Sequence, residues 1–375
     1  MTYQICTKTV MDTSDPGIVF DADGVCQYWH NYQTVSAEIR RKVDALPLET
    51  LAAQIKAEGH GKPYDCLIGV SGGIDSSFVA YHCHRLGLRA LAVHFDGGWD
   101  SDISAHNLKV TTLDLGFERR DLRVAEEEIN DLLTAYLRSS VIDIGVYADH
   151  AILATMYSLA RKYGIKYVVS GANMQTEFIN PKAWVANKLD TVNLRYIHRK
   201  FGKGVPLKTY PTCSFLKYVY YKSVTGMQFI NLIDWFDFRE DAVSDLLVRE
   251  LNWQPYARKH GEVVFTKFYQ NFILPTKFGI DKRRMHLSSL ICAGQMTRKE
   301  ALEKLEEPLY DDEELREDRT KVLAKLGLTE TEFDKIMAMT PRSNNDFPTD
   351  TQLRAAWSRT MRATAGMRNL FRRCT

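Results

Sequence analysis

From residue 66 onward, short unbroken apolar runs alternate with stretches whose apolar residues recur at helical spacing. Leu67, Ile68 and Val70 read as a buried strand, and Phe78, Val79, His82 and Leu86 then fall on one side of a helix. The pattern continues with a strand at 89–95, a helix near 102–115, a strand at 118–122, two helices across 124–163 and a strand at 166–170. Such alternation predicts an α/β fold, a Rossmann-type parallel sheet with helices on both faces. Ahead of it, residues 1–60 read as a small N-terminal module. It has short β signals at 17–20 and 25–28 and one amphipathic helix across 34–59, ended by Gly59, Gly61 and Pro63. The α/β domain is expected over 61–180. Residues 181–375 lose the regular strands and read as a mainly helical domain for substrate and oligomerisation, with aromatic runs at 215–222 and 231–238.

The junction of the first strand and helix carries the chemistry. Val70-Ser71-Gly72-Gly73-Ile74-Asp75-Ser76 lets the backbone turn tightly at two glycines, adds hydroxyl donors, and opens a helix whose unpaired amides and positive dipole end suit an anion. The pattern GxxxxGK[ST] is absent and no lysine follows the glycines, which weakens a kinase or GTPase reading. Ser-Gly-Gly-Ile-Asp-Ser resembles the PP-loop of the ATP pyrophosphatases, the group that includes GMP, asparagine and NAD synthetases and the tRNA thiolation enzymes. The resemblance implies ATP, cleaved between its α and β phosphates, held by residues 70–76.

Composition narrows the partners. Lys and Arg number 49 against 47 Asp and Glu, so no nucleic-acid partner is expected. The polar start and the lack of a long apolar segment point to a cytoplasmic protein without stable membrane insertion. Seven scattered cysteines, at 6, 26, 66, 83, 213, 292 and 374, read as reduced thiols. The basic amphipathic tail at 359–375 reads as a docked terminal helix, with a membrane, a partner or nucleic acid as alternatives.

Three further groups are candidates. Asp96 and two glycines end the strand that contains Val93 and Phe95, at the edge where open α/β sheets bind ligands; a turn or helix cap explains Asp96 equally well. Gly171 ends the strand at 166–170, and Glu177 follows six residues later. Finally, Lys277, Lys282, Arg283, Arg284 and His286 form a cationic run that suits a clamp on pyrophosphate or an acidic substrate, with Lys282 and Arg283 as catalytic candidates. Pairing of that run with the acidic segment 311–319 is the alternative. In the PP-loop group the second strand's end approaches adenosine, which implies nucleotide contacts at Val93, Phe95, Asp96 and Gly171. A spacing similar to that of NAD synthetases implies a magnesium ion on Asp75 and Glu177.

A narrower resemblance covers nearly the whole chain. CTKTVMDTSDPGIVFDADGVC, FDGGWDS, YQNFILPTKFGIDKRR and HLSSLICAGQMTR look like the bacterial N-acetyl sugar amidotransferases of surface polysaccharide synthesis, the WbpG-like and PseA-like enzymes, with the O-antigen branch closer. This implies conversion of an acetamido group on an acidic sugar, UDP-linked by preference or free, to an acetamidino group with AMP and pyrophosphate released. It further implies ammonia from a separate HisH-like glutaminase and a HisF-like, cyclase-type barrel protein; separately, the helical region is a candidate surface for a homodimer. Thr2 and the lack of a GxCxG elbow fit an external ammonia source. The family's paired CxxC segments are incomplete, since Thr9 and Trp29 stand at the second positions, and no structural zinc is expected. A PP-loop tRNA thiolase or lysidine-type enzyme and a non-catalytic nucleotide-binding regulator are the competing readings.

Overall fold

Strand β1 (Cys66–Gly69) is buried at its first three residues, as a fully covered parallel strand must be. It lies in the middle of a sheet with β2 (Ala90–Asp96), β3 (Glu118–Arg123), β4 (Tyr167–Ser170) and β5 (Gln228–Asn231). The computed structural model describes residues 2–256 and 263–371, except for the side chains of Val224 and of residues 362–371. Among these residues the strands form a five-stranded sheet of order β3-β2-β1-β4-β5, parallel throughout. The chain builds outward from β1 to β3 and then continues on β1's other side, which puts the topological switch between β1 and β4. The sequence reading missed β5. Three of its four residues are exposed, so neither a buried run nor a clean alternation marks it.

Helices α1 (Gln27–Ala45) and α2 (Leu48–Glu58) replace the single helix expected at 34–59, because Pro47 has no amide to continue the ladder and instead precedes α2 as its cap residue. The β signals at 17–20 and 25–28 come down to one antiparallel bridge between Phe20 and Cys26, after which α1 begins. The layers on the sheet come from α3 (Ile74–Arg85), α4 (Asp102–Thr112), α5 (Glu126–Ser139) and α6 (Val146–Tyr163). Beyond β4 follow α7 (Met174–Glu177), α8 (Thr191–Phe201), α9 (Phe215–Thr225), α10 (Glu240–Leu251) and α11 (Val264–Phe268). A π-helical stretch at Tyr269–Phe278 contains Pro275, whose missing amide forces the ladder to re-register; it leads into α12 (Arg283–Cys292). The chain closes with α13 (Arg298–Glu306), α14 (Asp312–Leu326), α15 (Glu330–Ala338) and α16 (Thr351–Phe371).

One face of the sheet packs Ile68 and Val70 against Phe78 and Val79 of α3 and against Phe238, Val243 and Trp253. The other packs Leu67, Val93 and Val168 against Ala154, Met156 and Ala160 of α6. A third cluster joins Cys6, Met11 and Cys26 to Leu132, Tyr136 and Trp184 and to Phe268 and Phe333. The chain's beginning and end therefore share one core with its middle. Each large side chain fully buried there contributes roughly 1.5–3 kcal/mol by the transfer scale. At Thr9, where a thiolate ligand would stand, the hydroxyl contacts Cys26 Sγ at 3.5 Å, while Cys6 Sγ accepts the amides of Thr9 and Cys26. At the start of α16, residues 351–361 are mostly exposed, with Arg354 donating to the Leu189 carbonyl at 2.9 Å and Trp357 meeting the Phe215 ring edge-on at 6.4 Å; nearly all of the tail at 359–375, expected to dock, lies outside the described side chains. Residues 372–375, with Cys374, lie outside the described residues.

Candidate active site

Gly72 has φ +80°, and a Cβ there would lie 2.9 Å from the Ser104 carbonyl oxygen, so only glycine fits this turn. Gly73 precedes α3 in extended conformation, leaving the first-turn amides of Ile74, Asp75 and Ser76 outside the helical ladder. Ser71 and Ser76 hold the loop in shape: the Ser71 amide donates to Ser76 Oγ at 3.2 Å, and Ser76 Oγ donates to the Gly73 carbonyl at 3.1 Å. Later segments brace it from outside. Ser104 Oγ donates to the Ser71 carbonyl at 3.0 Å, while Trp253 Nε1 and Tyr256 OH both donate to the Gly72 carbonyl at 3.1 Å. These bonds occupy the loop's carbonyls, while the first-turn amides of Ile74, Asp75 and Ser76 stay outside the helical ladder.

The end of β4 closes against this loop. A Cβ on Gly171 would stand 3.1 Å from the Asp75 carbonyl carbon, so a bare backbone is what lets β4 and α3 meet. Asn173 accepts the Thr176 amide at 2.8 Å, and its Nδ2 donates to the Gly171 carbonyl at 3.3 Å and reaches Asp75 Oδ1 at 3.5 Å. A cavity of about 470 Å³ lies here. Its walls are Ser71, Gly73, Ile74, Asp75, Ser76, Gly171, Ala172 and Glu177, joined by Glu240, Asp241, Ser244, Trp253, Pro255 and Tyr256. The sequence reading found the first group apart from Ala172 and missed the second. In the sequence, Glu240 and Asp241 look like ordinary acidic residues opening an amphipathic helix, and nothing local shows that α10 lies against α3.

A second, mainly apolar cavity of about 300 Å³ shares Gly171 and lies toward α6, between Ile152, Leu153, Met156, Val168 and Phe229. Lys188 stands at its rim with Nζ 2.7 Å from Asp143 and 2.9 Å from Asp149. These two adjoining cavities occupy the switch between β1 and β4, where open parallel sheets bind ligands.

Other expected contacts lie elsewhere. Val93 is 2% exposed in the core, Phe95 packs near Tyr147, and Asp96 accepts the Gly98 amide and faces Arg123 at 3.5 Å; none lines the larger cavity. Val70 is buried behind the loop, its amide donated to the Val93 carbonyl at 2.9 Å.

The cationic run does not form a single clamp. Arg283 grips both oxygens of Asp281 and donates to the carbonyls of Lys304, Leu305 and Glu307, which ties down the end of α13. Arg284 donates to the Val10 carbonyl at 2.8 Å and pairs with Asp12 at 3.1 Å. Lys277 donates to the Ile336 carbonyl, and burial brings its amine down to about 8. The acidic segment 311–319 is not their partner, because Glu314 and Asp318 pair with Lys267.

His286 comes nearest to the site. Its ring bonds the Thr176 carbonyl at 3.2 Å and faces Glu240 of the cavity wall at 3.5 Å. The Lys282 amine is largely enclosed and makes no hydrogen bond or ion pair among the described residues. Burial lowers its pKa, opposed by the fields of Asp143, Asp149 and Glu177 and reinforced by Lys188.

Among the described residues no group of three or more metal-binding side chains converges. Asp75 and Glu177 on one cavity still fit magnesium in the form a nucleotide brings it, bound by one or two carboxylates and phosphate oxygens. No helix among the described residues is long and apolar enough to cross a membrane.

Comparison with known proteins places two parts of the chain. Residues 64–172 match the asparagine synthase family, and residues 262–363 match the C-terminal domain of WbpG-like LPS biosynthesis proteins. No curated protein matches the chain. Among solved structures, an NH3-dependent NAD synthetase from Campylobacter jejuni, in complex with nitrate, is 14% identical over 80% of this chain and 97% of its own, with a TM-score of 0.32. NMN synthetase from Francisella tularensis is 15% identical over 59% of this chain and 88% of its own, with a TM-score of 0.27. At those scores neither carries an argument, and the fold class rests on the strand order and the matched domains. With a PP-loop domain of the asparagine synthase kind ahead of a WbpG-like C-terminal domain, the chain is a WbpG-like PP-loop protein, an ATP-utilising enzyme of the amidotransferase and ligase type.

Proposed function

We propose that this enzyme works in LPS biosynthesis, adenylating the acetamido oxygen of an acidic, UDP-linked N-acetyl sugar and replacing it with ammonia to leave an acetamidino group, AMP and pyrophosphate. The observation that carries the reading is the composition of the larger cavity. PP-loop residues Ser71 and Gly73 to Ser76 and Gly171 face Glu240, Asp241 and Ser244 across one space of about 470 Å³, within the size range of ligand pockets.

An amide carbon is a weak electrophile and its oxygen a poor leaving group, and adenylation answers both. The amides opening α3 and the hydroxyls of Ser71 and Ser76 would hold the phosphates in line, and the helix's positive end would stabilise charge as pyrophosphate departs. Magnesium, carried by Asp75 and Glu177, would supply further neutralisation of phosphate charge. The acetamido oxygen then bonds to the α-phosphorus as the α–β bridge breaks. Attack of ammonia on the imidate carbon, with loss of a proton, expels AMP and leaves the amidine. Positioning and charge do this work, so no nucleophilic side chain is required. The apolar neighbour cavity, with Phe229 and Met156, suits a flat base. Ammonia would come from the glutaminase and barrel partners.

The test is pyrophosphate and AMP formation from MgATP and ammonium with a panel of acidic N-acetyl sugar nucleotides. Acceptor-dependent release, with a sugar product lighter by the difference between O and NH, is expected. ATP binding with no acceptor-dependent pyrophosphate across the panel would contradict the assignment and turn attention to tRNA as acceptor.

A further inference from the structure

His94 lies on β2 beside the PP-loop, 5% exposed, and the groups above leave it unused. Its Nδ1 lies 3.1 Å from the Val70 carbonyl oxygen, the last carbonyl before Ser71, and its Nε2 lies 2.8 Å from Asp100 Oδ2. A carbonyl can only accept. An ionised carboxylate can only accept as well, so both ring nitrogens must donate, which only the imidazolium does. Among the described residues, Asp121, its register partner on β3, also acts on the ring, and Asp121 is itself paired with Arg119 at 2.7 Å.

Asp100 also connects this pair to the far end of the chain. It forms an isolated antiparallel bridge with Val263, and the Val264 amide donates to the Trp99 carbonyl at 3.0 Å, at the start of α11 and of the WbpG-like domain. One buried ring thus fastens the entry to the nucleotide loop on one side and, through Asp100, the C-terminal domain on the other.

We propose that His94 is a positioning residue, a buried imidazolium paired with Asp100 that holds the Val70 carbonyl and so sets the PP-loop for the nucleotide's phosphates. This rests on reading that loop as an ATP site. When the ring loses a proton, one donor must serve two acceptors, so either the Val70 carbonyl or Asp100 loses its partner on the ring, and the neutral pair beside the loop becomes net negative. Both changes weaken phosphate binding. Burial pushes the ring's pKa down, but the Asp100 carboxylate and the Val70 carbonyl together outweigh it and leave the pKa above the ordinary histidine value. Binding strength should therefore be complete at acidic to neutral pH and fall as pH rises through that lifted value.

The experiment uses the full chain labelled with ¹⁵N-histidine. The ring nitrogen shifts of His94 are followed from about pH 5.5 to about pH 9, and ATP affinity is measured calorimetrically over the same range for wild type and Asp100→Asn. Expected are two protonated ring nitrogens at neutral pH, ATP binding roughly tenfold weaker after the proton is lost, and a shift of that fall to lower pH in Asp100→Asn. The nucleotide's own titration is common to both proteins and cancels. A single N–H at neutral pH, or superimposable pH profiles for the two proteins, would overturn the proposal. Wild type that binds no ATP at any pH would instead overturn the nucleotide-site reading, while the nitrogen shifts still decide the protonation state.

Discussion

Gly171→Ala tests the contact that joins β4 to the phosphate loop. The new methyl would stand 3.1 Å from the Asp75 carbonyl carbon, 3.2 Å from its Cβ and 3.3 Å from its oxygen. Carbon atoms pack best at about 3.5–4.0 Å, so the first turn of α3 and the tip of β4 must part by roughly half an ångström. As overpacking this costs about 1–3 kcal/mol, a drop of a few degrees in the unfolding midpoint. Function should suffer more, because the atoms displaced belong to Asp75 and the amides that position phosphate. Where a misplacement of about 1 Å costs about a hundredfold, half of that should cost about tenfold in pyrophosphate release. Gly145→Ala is the control. Its backbone is helical and the nearest atom to a new Cβ is a flexible carboxylate oxygen at 3.4 Å, so ATP binding should be unchanged. Titration calorimetry with ATP, a pyrophosphate assay and thermal unfolding on the three proteins decide the matter. Wild-type affinity and turnover in Gly171→Ala would refute the claim that close approach of β4 shapes the site.

Arg283→Ala should lower stability by about 1–3 kcal/mol, since it strands Asp281 and three carbonyls; the KM for ATP should stay unchanged, and a selective rise in KM would restore the clamp reading. Lys282→Met removes an enclosed amine that has no partner among the described residues, so the unfolding midpoint should hold or rise while turnover falls; full turnover would remove Lys282 from the site. His82 packs against Phe78 and Phe236, and burial, then the Arg85 charge, bring its pKa down to about 4. The unfolded chain therefore takes up this proton first, and stability conferred by the neutral ring is present above about pH 6.5 and is lost as pH falls toward about 4. His82→Gln should flatten the stability profile in that window, and an unchanged slope would assign the acid sensitivity to other groups.

The phosphate loop could be read from the sequence because it is local: one strand, two glycines and one helix start within a dozen residues. Gly171 and Glu177 could be found because a strand's end announces itself. Trp253, Tyr256 and Glu240 could not, since their place depends on α10 docking against α3 from more than 150 positions away, and their residue types serve equally well in any core or helix start. The cationic run shows the opposite error. Adjacent arginines looked like one patch, yet Arg283 turns to Asp281 and α13 while Arg284 turns to Asp12 near the chain's beginning. A charge's partner is set by tertiary structure, and spacing along the chain does not reveal it. Strand β5 escaped for a related reason: at the sheet edge most of its side chains meet solvent, which removes the periodic signal.

The central claim is that ATP activates the acetamido oxygen itself. An acceptor sugar nucleotide carrying ¹⁸O in that group, turned over with MgATP and ammonium, tests it directly by mass spectrometry of the AMP formed. The label is expected in the AMP phosphoryl group, with the amidine product unlabelled. AMP free of label, with ¹⁸O retained in the sugar or released to water, would contradict adenylation at the acetamido oxygen.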